Sequence, residues 1–511
     1  MLDAINTNII SLSTQNNLAN SQSSLATSIQ RLSSGLKINS AADDPAGLAI
    51  SDRMTSQVNG LNQATQNASN AIALTQTADG GLASTTSLLQ TMRTLAVEAA
   101  NGTNSTSDRQ SLQTEIAQLQ QQIGQVSQTT QYNGINLLDG SLSNVQFQVG
   151  ANAGQTISFN IGSSAANAIG NNTLAPTAAT AATTLSQAHL SGTAASVDAN
   201  VLAAQTITIS GNGTSASIGL TAGESGYATA AAVNAAAGTT GVKATATSNA
   251  TLSNFGTGLT VLTLQGAPTS TGAASPITVS STLATSKDLT DLTTKINAQS
   301  GSTGITAVAD LVKGTISLTQ AAGYDIGVTN ATNSTQAALE VTGTTSAGAA
   351  GTAVTLAAAG SVGDTATVGA LVSFSAASSF SVSTDTATSG IFDATTSSGS
   401  TLSSVAGIDV TKLTNGLPSG ANDALAVIDA ALANVDTARA SLGALQNRFT
   451  ASISNLQTST LNITSARSTV LDTNFAAETA NLSRGQILQQ AGTAMLAQAN
   501  SLPNGVLALL R

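Results

Sequence analysis

The chain has 511 residues, enough for several domains, and carries 15 basic against 25 acidic residues for a formal net charge of −10. Its basic residues are scattered singly, which argues against nucleic-acid binding. With no Cys and one His (His189), disulfides, thiolate or His-based metal sites, an HExxH zinc site and a catalytic triad all fall away, so no active site and no cofactor are expected.

Aromatic residues are scarce, with 8 Phe, 3 Tyr and no Trp. Any core must be built from Leu, Ile, Val and Ala. The N-terminus, MLDAINTNIISL, has no basic region followed by an apolar block, so no cleaved secretory signal is expected. No run of about 18 apolar residues predicts a membrane span. Export, if it occurs, would use a route that cleaves no leader.

Residues 1 to about 135 read as helix. Leu18, Gln22, Leu25, Ile29, Leu32 and Leu36 alternate spacings of four and three. The stretch QRLSSGLKINSAADDPAGLAI then interrupts the pattern. Gly35 is a poor helix residue, and Asn39 and Ser40 favour irregular backbone. Asp44 followed by Pro45 is a restart signal: the carboxylate can accept from free N–H groups, and Pro fits the first helical position. Asp43 adds negative charge at the positive end of the new helix. The segment reads as a spoke between two helices, although an ordinary interhelix loop fits the same residues. Further on, NGTNSTS reads as a turn, with Asp108 starting the next helix. Leu112, Ile116, Leu119, Ile123 and Val126 continue a helical stripe.

Residues about 180 to 400 are rich in Ala, Thr, Ser and Gly. QTITIS, GLTVLTLQG, PITVSST, KGTISLTQ and ALVSFSA read as strands. VNAAAGTTGVKA (233–244) matches INAQSGSTGITA (296–307) at an offset of 63 residues. Two related units are expected, each a short helix plus β structure, at about 207–270 and 283–330. His189, in AHLSG, reads as an exposed loop residue.

Helical spacing returns from about residue 405. Ile428, Val435, Leu442, Phe449, Leu456, Ile463 and Val470 stand seven apart, and the companion positions Ala431, Ala438, Leu445, Ser452, Ser459 and Ala466 are mostly small. Such a repeat keeps one seam facing a partner helix. At the end, Leu496, Leu502, Val506, Leu507, Leu509 and Leu510 give an apolar surface, while Pro503 and Gly505 weaken the helix. The layout predicts two terminal segments that pack together, with an insertion between them.

The spoke resembles the corresponding stretch of bacterial flagellins. The resemblance extends over MLDAINTNIISLSTQNNL, LAVEAANGTNSTSDRQSLQTEI and YNGINLLDG. It resumes over SLGALQNRF, LDTNFAAETANLSRGQILQQAGTAMLAQAN and VLALLR. The repeat copies look like a short domain of some flagellins and hook proteins. A hook–filament junction protein resembles flagellin at both termini and is one rival reading. A secreted adhesin is another, although it would need no paired helical seams.

The resemblance implies a multidomain α plus β fold with three regions. Paired terminal α-helices (1–45 with 471–511) would form an inner helical tube. A coiled-coil-like bundle (46–178 with 403–470) would carry a β-hairpin at about 144–162. Residues 179–402 would be a variable, mainly β outer region. The implied function is an extracellular structural subunit, self-assembling into a helical homopolymer. Implied partners are cap and hook-junction proteins, the type III export apparatus, a chaperone on the C-terminal segment and innate immune receptors. The implied polymerisation residues are Ile5, Ile9, Leu12, Leu18, Leu25, Ile29, Leu32, Leu488, Leu496, Leu502, Val506, Leu507 and Leu510. The implied spoke residues are Gly35, Asp43, Asp44 and Pro45, and the implied immune-receptor patch is Arg93, Leu95 and Glu115.

Overall fold

The computed structural model describes residues 7–175, 186–192, 198–266, 276–332, 334–336, 338–344, 350–386, 391–392, 397–413 and 418–509, and of 502–509 the backbone alone. The fold is α plus β: long helices from both ends of the chain and antiparallel sheets from its middle. The framing helices are α1 (Ile9–Ser34), α2 (Pro45–Ala99), α3 (Thr106–Thr129), α4 (Gly226–Ala235), α5 (Thr290–Ala298), α6 (Ser419–Leu471) and α7 (Phe475–Leu509). Contacts divide the chain into two compact units. One is Met1–Gln76, Asn144–Asn160 and Leu442–Arg511; the other is Thr77–Ser143 and Ile161–Ser441. The divide falls within α2 and α6.

In the first unit, a hairpin of β1 (Val145–Gln148) and β2 (Thr156–Phe159) lies on the helices. Phe147 stacks on Phe159 at 5.8 Å and meets Phe449 edge-on at 5.9 Å. Ala68, Ala71 and Leu445 complete this core. Small residues let the hairpin approach: a Cβ at Gly60 would stand 3.0 Å from that of Ala151. Along α6, Leu442, Phe449 and Leu456 of this unit are buried and Ile463 and Val470 half-buried, while Ile428 and Val435, which belong to the other unit, are also buried. One heptad stripe thus supplies core along most of a 53-residue helix.

In the second unit, α3 starts earlier than Asp108. Ser105 is its N-cap, and Ser105 and Asp108 form a reciprocal capping box. Arg109, buried, donates from Nε to Ala99 O at 3.0 Å and from a terminal nitrogen to Asn101 O at 3.2 Å. It thereby satisfies carbonyls left free where α2 ends.

The middle of the chain holds two modules of the same design. The strands are β3 (Gln205–Gly211), β4 (Thr214–Leu220), β5 (Lys243–Ser253), β6 (Gly258–Gln265), β7 (Ile277–Leu283), β8 (Ile305–Asp310), β9 (Thr315–Gln320), β10 (Ile326–Asn330), β11 (Leu371–Ala376) and β12 (Phe380–Thr384). In one module, β3 pairs with β4, α4 follows, β5 pairs with β11, and β12 returns to β3. In the other, β6 pairs with β7, α5 follows, β8 pairs with β9, and β10 returns to β6. The cores are separate: Ile207, Val233 and Phe374 belong to one, and Leu262, Ile296 and Leu318 to the other.

The repeated Asn explains the motif. Asn234 Nδ2 donates to Ala244 O and its Oδ1 accepts from Ala244 N, both at 2.9 Å. Asn297 does the same to Ala307, at 2.8 and 2.7 Å. Gly241 and Gly304 close the helical turns at φ +72 and +68, a backbone region that favours glycine.

The second module interrupts the first. Residues 258–265, grouped with the first copy by their place in the sequence, pair with β7 and β10 of the second. The first is completed by β11 and β12, which follow the whole insertion. Strand β5 serves both modules: residues 243–247 pair with β11, and 248–252 with β9. His189 is exposed but lies in a strand opposite Thr367 rather than in a loop. Cross-strand pairing claims its backbone.

Candidate assembly surface

Helices α1 and α7 run antiparallel. A Cβ at Gly492 would stand 3.0 Å from Leu18 Cδ1, and one at Gly485 would stand 3.2 Å from Leu25 Cδ1. Asn8 caps α1 by accepting from Ser11 N at 2.9 Å, and its Nδ2 donates to Ala499 O at 2.8 Å. Ser11 Oγ donates to Asn500 Oδ1 at 2.7 Å. Leu18, Leu25, Leu32 and Leu496 are half-buried. Glu478, Gly485, Gly492 and Ala499 stand seven apart on α7, and all are buried or half-buried. Small residues at this period let two backbones approach closely along one seam. A search for large apolar residues passes over such a stripe, although its spacing is readable.

Other large apolar residues of the pair face outward. Ile9, Ile10, Leu12 and Ile29 on α1, and Phe475, Ile487, Leu488 and Met495 on α7, are each about half or more exposed. The thirteen sequence-derived positions therefore fall into groups. Leu18, Leu25, Leu32 and Leu496 serve the seam, while Ile9, Leu12, Ile29 and Leu488 point away from it. Leu502, Val506 and Leu507 lie on the backbone of α7, which continues as helix to Leu509 through Pro503 and Gly505. Ile5 and Leu510 lie outside the described residues.

The spoke joins two interruptions of the helices. Gly35 ends α1 in the left-handed region at φ +73. Its carbonyl accepts from Thr473 N at 3.0 Å, and Lys37 N donates to Leu471 O at 2.7 Å. Leu36 and Asp472 form an antiparallel bridge. The break after α1 is thus paired with the break between α6 and α7. Asp44 accepts from Gly47 N at 2.9 Å, and Pro45 is the first residue of α2.

Asp43 acts differently from the sequence reading. Its Oδ2 accepts from Ser40 N, Asn39 N and Ser40 Oγ at 2.8, 3.0 and 3.1 Å, so it orders the loop. These bonds, led by the Ser40 amide, hold its pKa below the usual carboxylate value. Gly47 was missed. A Cβ there would meet Ile38 Cδ1 at 2.6 Å, and Ile38 is buried.

Arg93 is exposed and ion-paired to Asp429 at 2.7 Å. Glu115 is exposed, whereas Leu95 is buried in the helical core. Among the described residues no group of His, Asp and Glu is placed to hold a metal ion, and no helix is long and apolar enough to cross a membrane.

Residues 5–143 match the family model of the bacterial flagellin N-terminal helical region, and residues 425–510 match that of the bacterial flagellin C-terminal helical region. The chain is 40% identical over 515 residues to B-type flagellin of Pseudomonas aeruginosa, with 99% of each chain covered. It is 35% identical over 539 residues to flagellin of Salmonella typhimurium, with both chains covered in full. The solved structure of FliC from Burkholderia pseudomallei covers 74% of this chain and 99% of its own, at 23% identity and a TM-score of 0.29. Matches at both helical termini and relatives that align over the whole chain carry the same conclusion: this chain belongs to the bacterial flagellin family, the structural, non-enzymatic subunits of the extracellular flagellar filament.

Proposed function

We propose that the α1–α7 pair is the element through which copies of this chain polymerise. The observation that carries this reading is the outward apolar face of the pair: Ile9, Leu12, Ile29 and Leu488, with Ile10, Phe475, Ile487 and Met495. Covering a large aliphatic side chain contributes about 1.5–3 kcal/mol. Neighbouring pairs in a polymer would cover several at once, which supports a helical homopolymer with residues 1–45 and 471–511 innermost. Residues 46–178 with 403–470 would form the next layer, and 179–402 the outer one. Cap and hook-junction proteins would engage the same terminal helices. The apolar C-terminal segment would be held by an export chaperone before passage through the type III apparatus.

Seeded polymerisation tests this reading. Ile9→Asn with Leu12→Asn should leave helix content unchanged by circular dichroism yet stop growth on seeds. Elongation at the parent rate would reject the assignment.

Recognition by innate immune receptors rests on the spoke and on Arg93 with Glu115. Thr91 stands where strongly recognised flagellins have Arg, and Leu95, being buried, offers a receptor little surface. Residues 30–51 resemble the segment that plant receptors read, and residues 90–97 with Glu115 resemble the patch read by the animal receptor, so the plant-type signal should be the stronger of the two. Equal potency to an Arg-bearing flagellin in the animal assay would overturn this ranking.

A further inference from the structure

Tyr227 and Tyr324 come from different modules and stack at 4.5 Å between ring centroids, with planes 23° apart. Tyr227 lies in the first turn of α4, and Tyr324 in the connection between β9 and β10. The backbone around them is fixed: Tyr227 N donates to Gly323 O at 2.8 Å, and Ser248 Oγ donates to Tyr324 O at 2.6 Å. Neither neighbouring glycine has room for a side chain. A Cβ at Gly323 would meet Ala246 Cβ at 2.4 Å, and one at Gly226 would meet Ala370 Cβ at 2.4 Å. Tyr227 is 47% exposed and Tyr324 half-buried, so a small oxidant, or a radical carried by one, can reach the pair. The chain has only 3 Tyr, and among the described residues this is the one Tyr–Tyr ring contact.

We propose that Tyr227 and Tyr324 form an oxidative modification site, at which a peroxidase with hydrogen peroxide joins the two rings into an intramolecular dityrosine. Each phenol loses one electron and one proton, giving two phenoxyl radicals. The radicals couple through the ring carbons ortho to the hydroxyls, forming one carbon–carbon bond. The proton on each coupled carbon then moves to its oxygen, restoring both phenols. The protein loses two hydrogen atoms in all, and one hydrogen peroxide is reduced to two waters. The stacked rings must tilt edge to edge for the bond to close. The broad torsion about the Tyr ring bond permits this, and the exposed side of Tyr227 leaves room for it. The bond would tie α4 of the first module to the β9–β10 connection of the inserted one.

The test treats the full-length monomer with a haem peroxidase and hydrogen peroxide. Dityrosine fluorescence, and a protease digest in which the peptides of Tyr227 and Tyr324 are joined with the loss of two hydrogens, are expected. The yield should not fall when the protein is diluted, because the reaction is intramolecular. Tyr227→Phe should abolish the joined peptide, and Tyr132→Phe should leave it unchanged. Circular dichroism confirms that each variant is folded. A treated wild-type chain with no 227–324 peptide would overturn the proposal. So would dityrosine appearing only in dimers, or at equal yield in Tyr227→Phe.

Discussion

Leu18 of α1 rests on Gly492 of α7, where an added Cβ would stand 3.0 Å from the leucine Cδ1. The contact is tight enough that a neighbour must shift for even one carbon. In a helix interior, replacing Gly by Ala gains about 1 kcal/mol from propensity alone. Gly492→Ala should therefore be close to neutral, because the end of Leu18 can move slightly. Gly492→Leu cannot be accommodated without parting the helices. It should lower helix content by circular dichroism and abolish seeded growth. Parent-like growth of Gly492→Leu would show that the seam does not govern assembly.

Asn234 and Asn297 each replace a missing strand partner with one side chain. Removing the amide leaves a backbone N–H and C=O without that partner, at about 1–3 kcal/mol for each group left unsatisfied. Asn234→Ala should weaken protection from hydrogen exchange in β3, α4 and β11. Asn297→Ala should weaken it in β6, α5 and β9. Loss of protection spread equally over both modules by either change would contradict their separate cores.

The heptad of α6 was legible because large apolar residues announce it. The stripe of Gly485, Gly492 and Ala499 has the same period but no hydrophobic signal. It could be found only by asking which small residues recur. Asp44 was legible as a helix start because its chemistry is local. Asp43 was not, since whether a carboxylate turns to a helix end or to the preceding loop depends on how Asn39 and Ser40 fold. The repeated Asn marked both modules. Their nesting was hidden, because β11 and β12 read like any alternating run. Nothing in a strand's own sequence says that its partner lies across an entire inserted module.

Nesting leads to a deletion that should retain a fold. Thr247 pairs with Leu371 across β5 and β11. Replacing residues 248–370 by Asn-Gly would join them through a two-residue hairpin loop, a connection that this dipeptide favours. The first module keeps nearly all of its core, including Ile207, Val233 and Phe374. The shortened chain should melt cooperatively and still elongate seeds, since α1 and α7 are untouched. A soluble, folded product that fails to elongate would show that the inserted module takes part in assembly.

Asp325 makes the second unit sensitive to pH. Its Oδ2 accepts from Asn200 Nδ2 at 2.7 Å, while its Oδ1 is buried without a partner. Asn200 also donates to the carbonyl of Glu224, whose carboxylate is held by Thr221. Tyr324 precedes Asp325, and Tyr227 stacks on that ring. Among the described residues no cation is bonded to the group. Burial raises its pKa from 3.8 to about 7, against the smaller opposing effect of the Asn200 bond. Below about pH 4 both folded and unfolded chains carry the proton, and there is no penalty. Between about pH 4 and 7 the unfolded chain releases it and the folded chain keeps it, so stability falls as pH rises. Above about pH 7 the loss is complete, on the order of 4 kcal/mol. Asp325→Asn retains an oxygen for Asn200 and removes the charge. It should raise the melting temperature of the monomer at pH 8, with the gain shrinking toward pH 4. The gain should stay below the full figure, because the new amide nitrogen needs an acceptor that Oδ1 lacks. Melting curves of both proteins across this range are the measurement. A difference that is constant with pH, or that grows toward acid, would rule out a buried, proton-retaining Asp325.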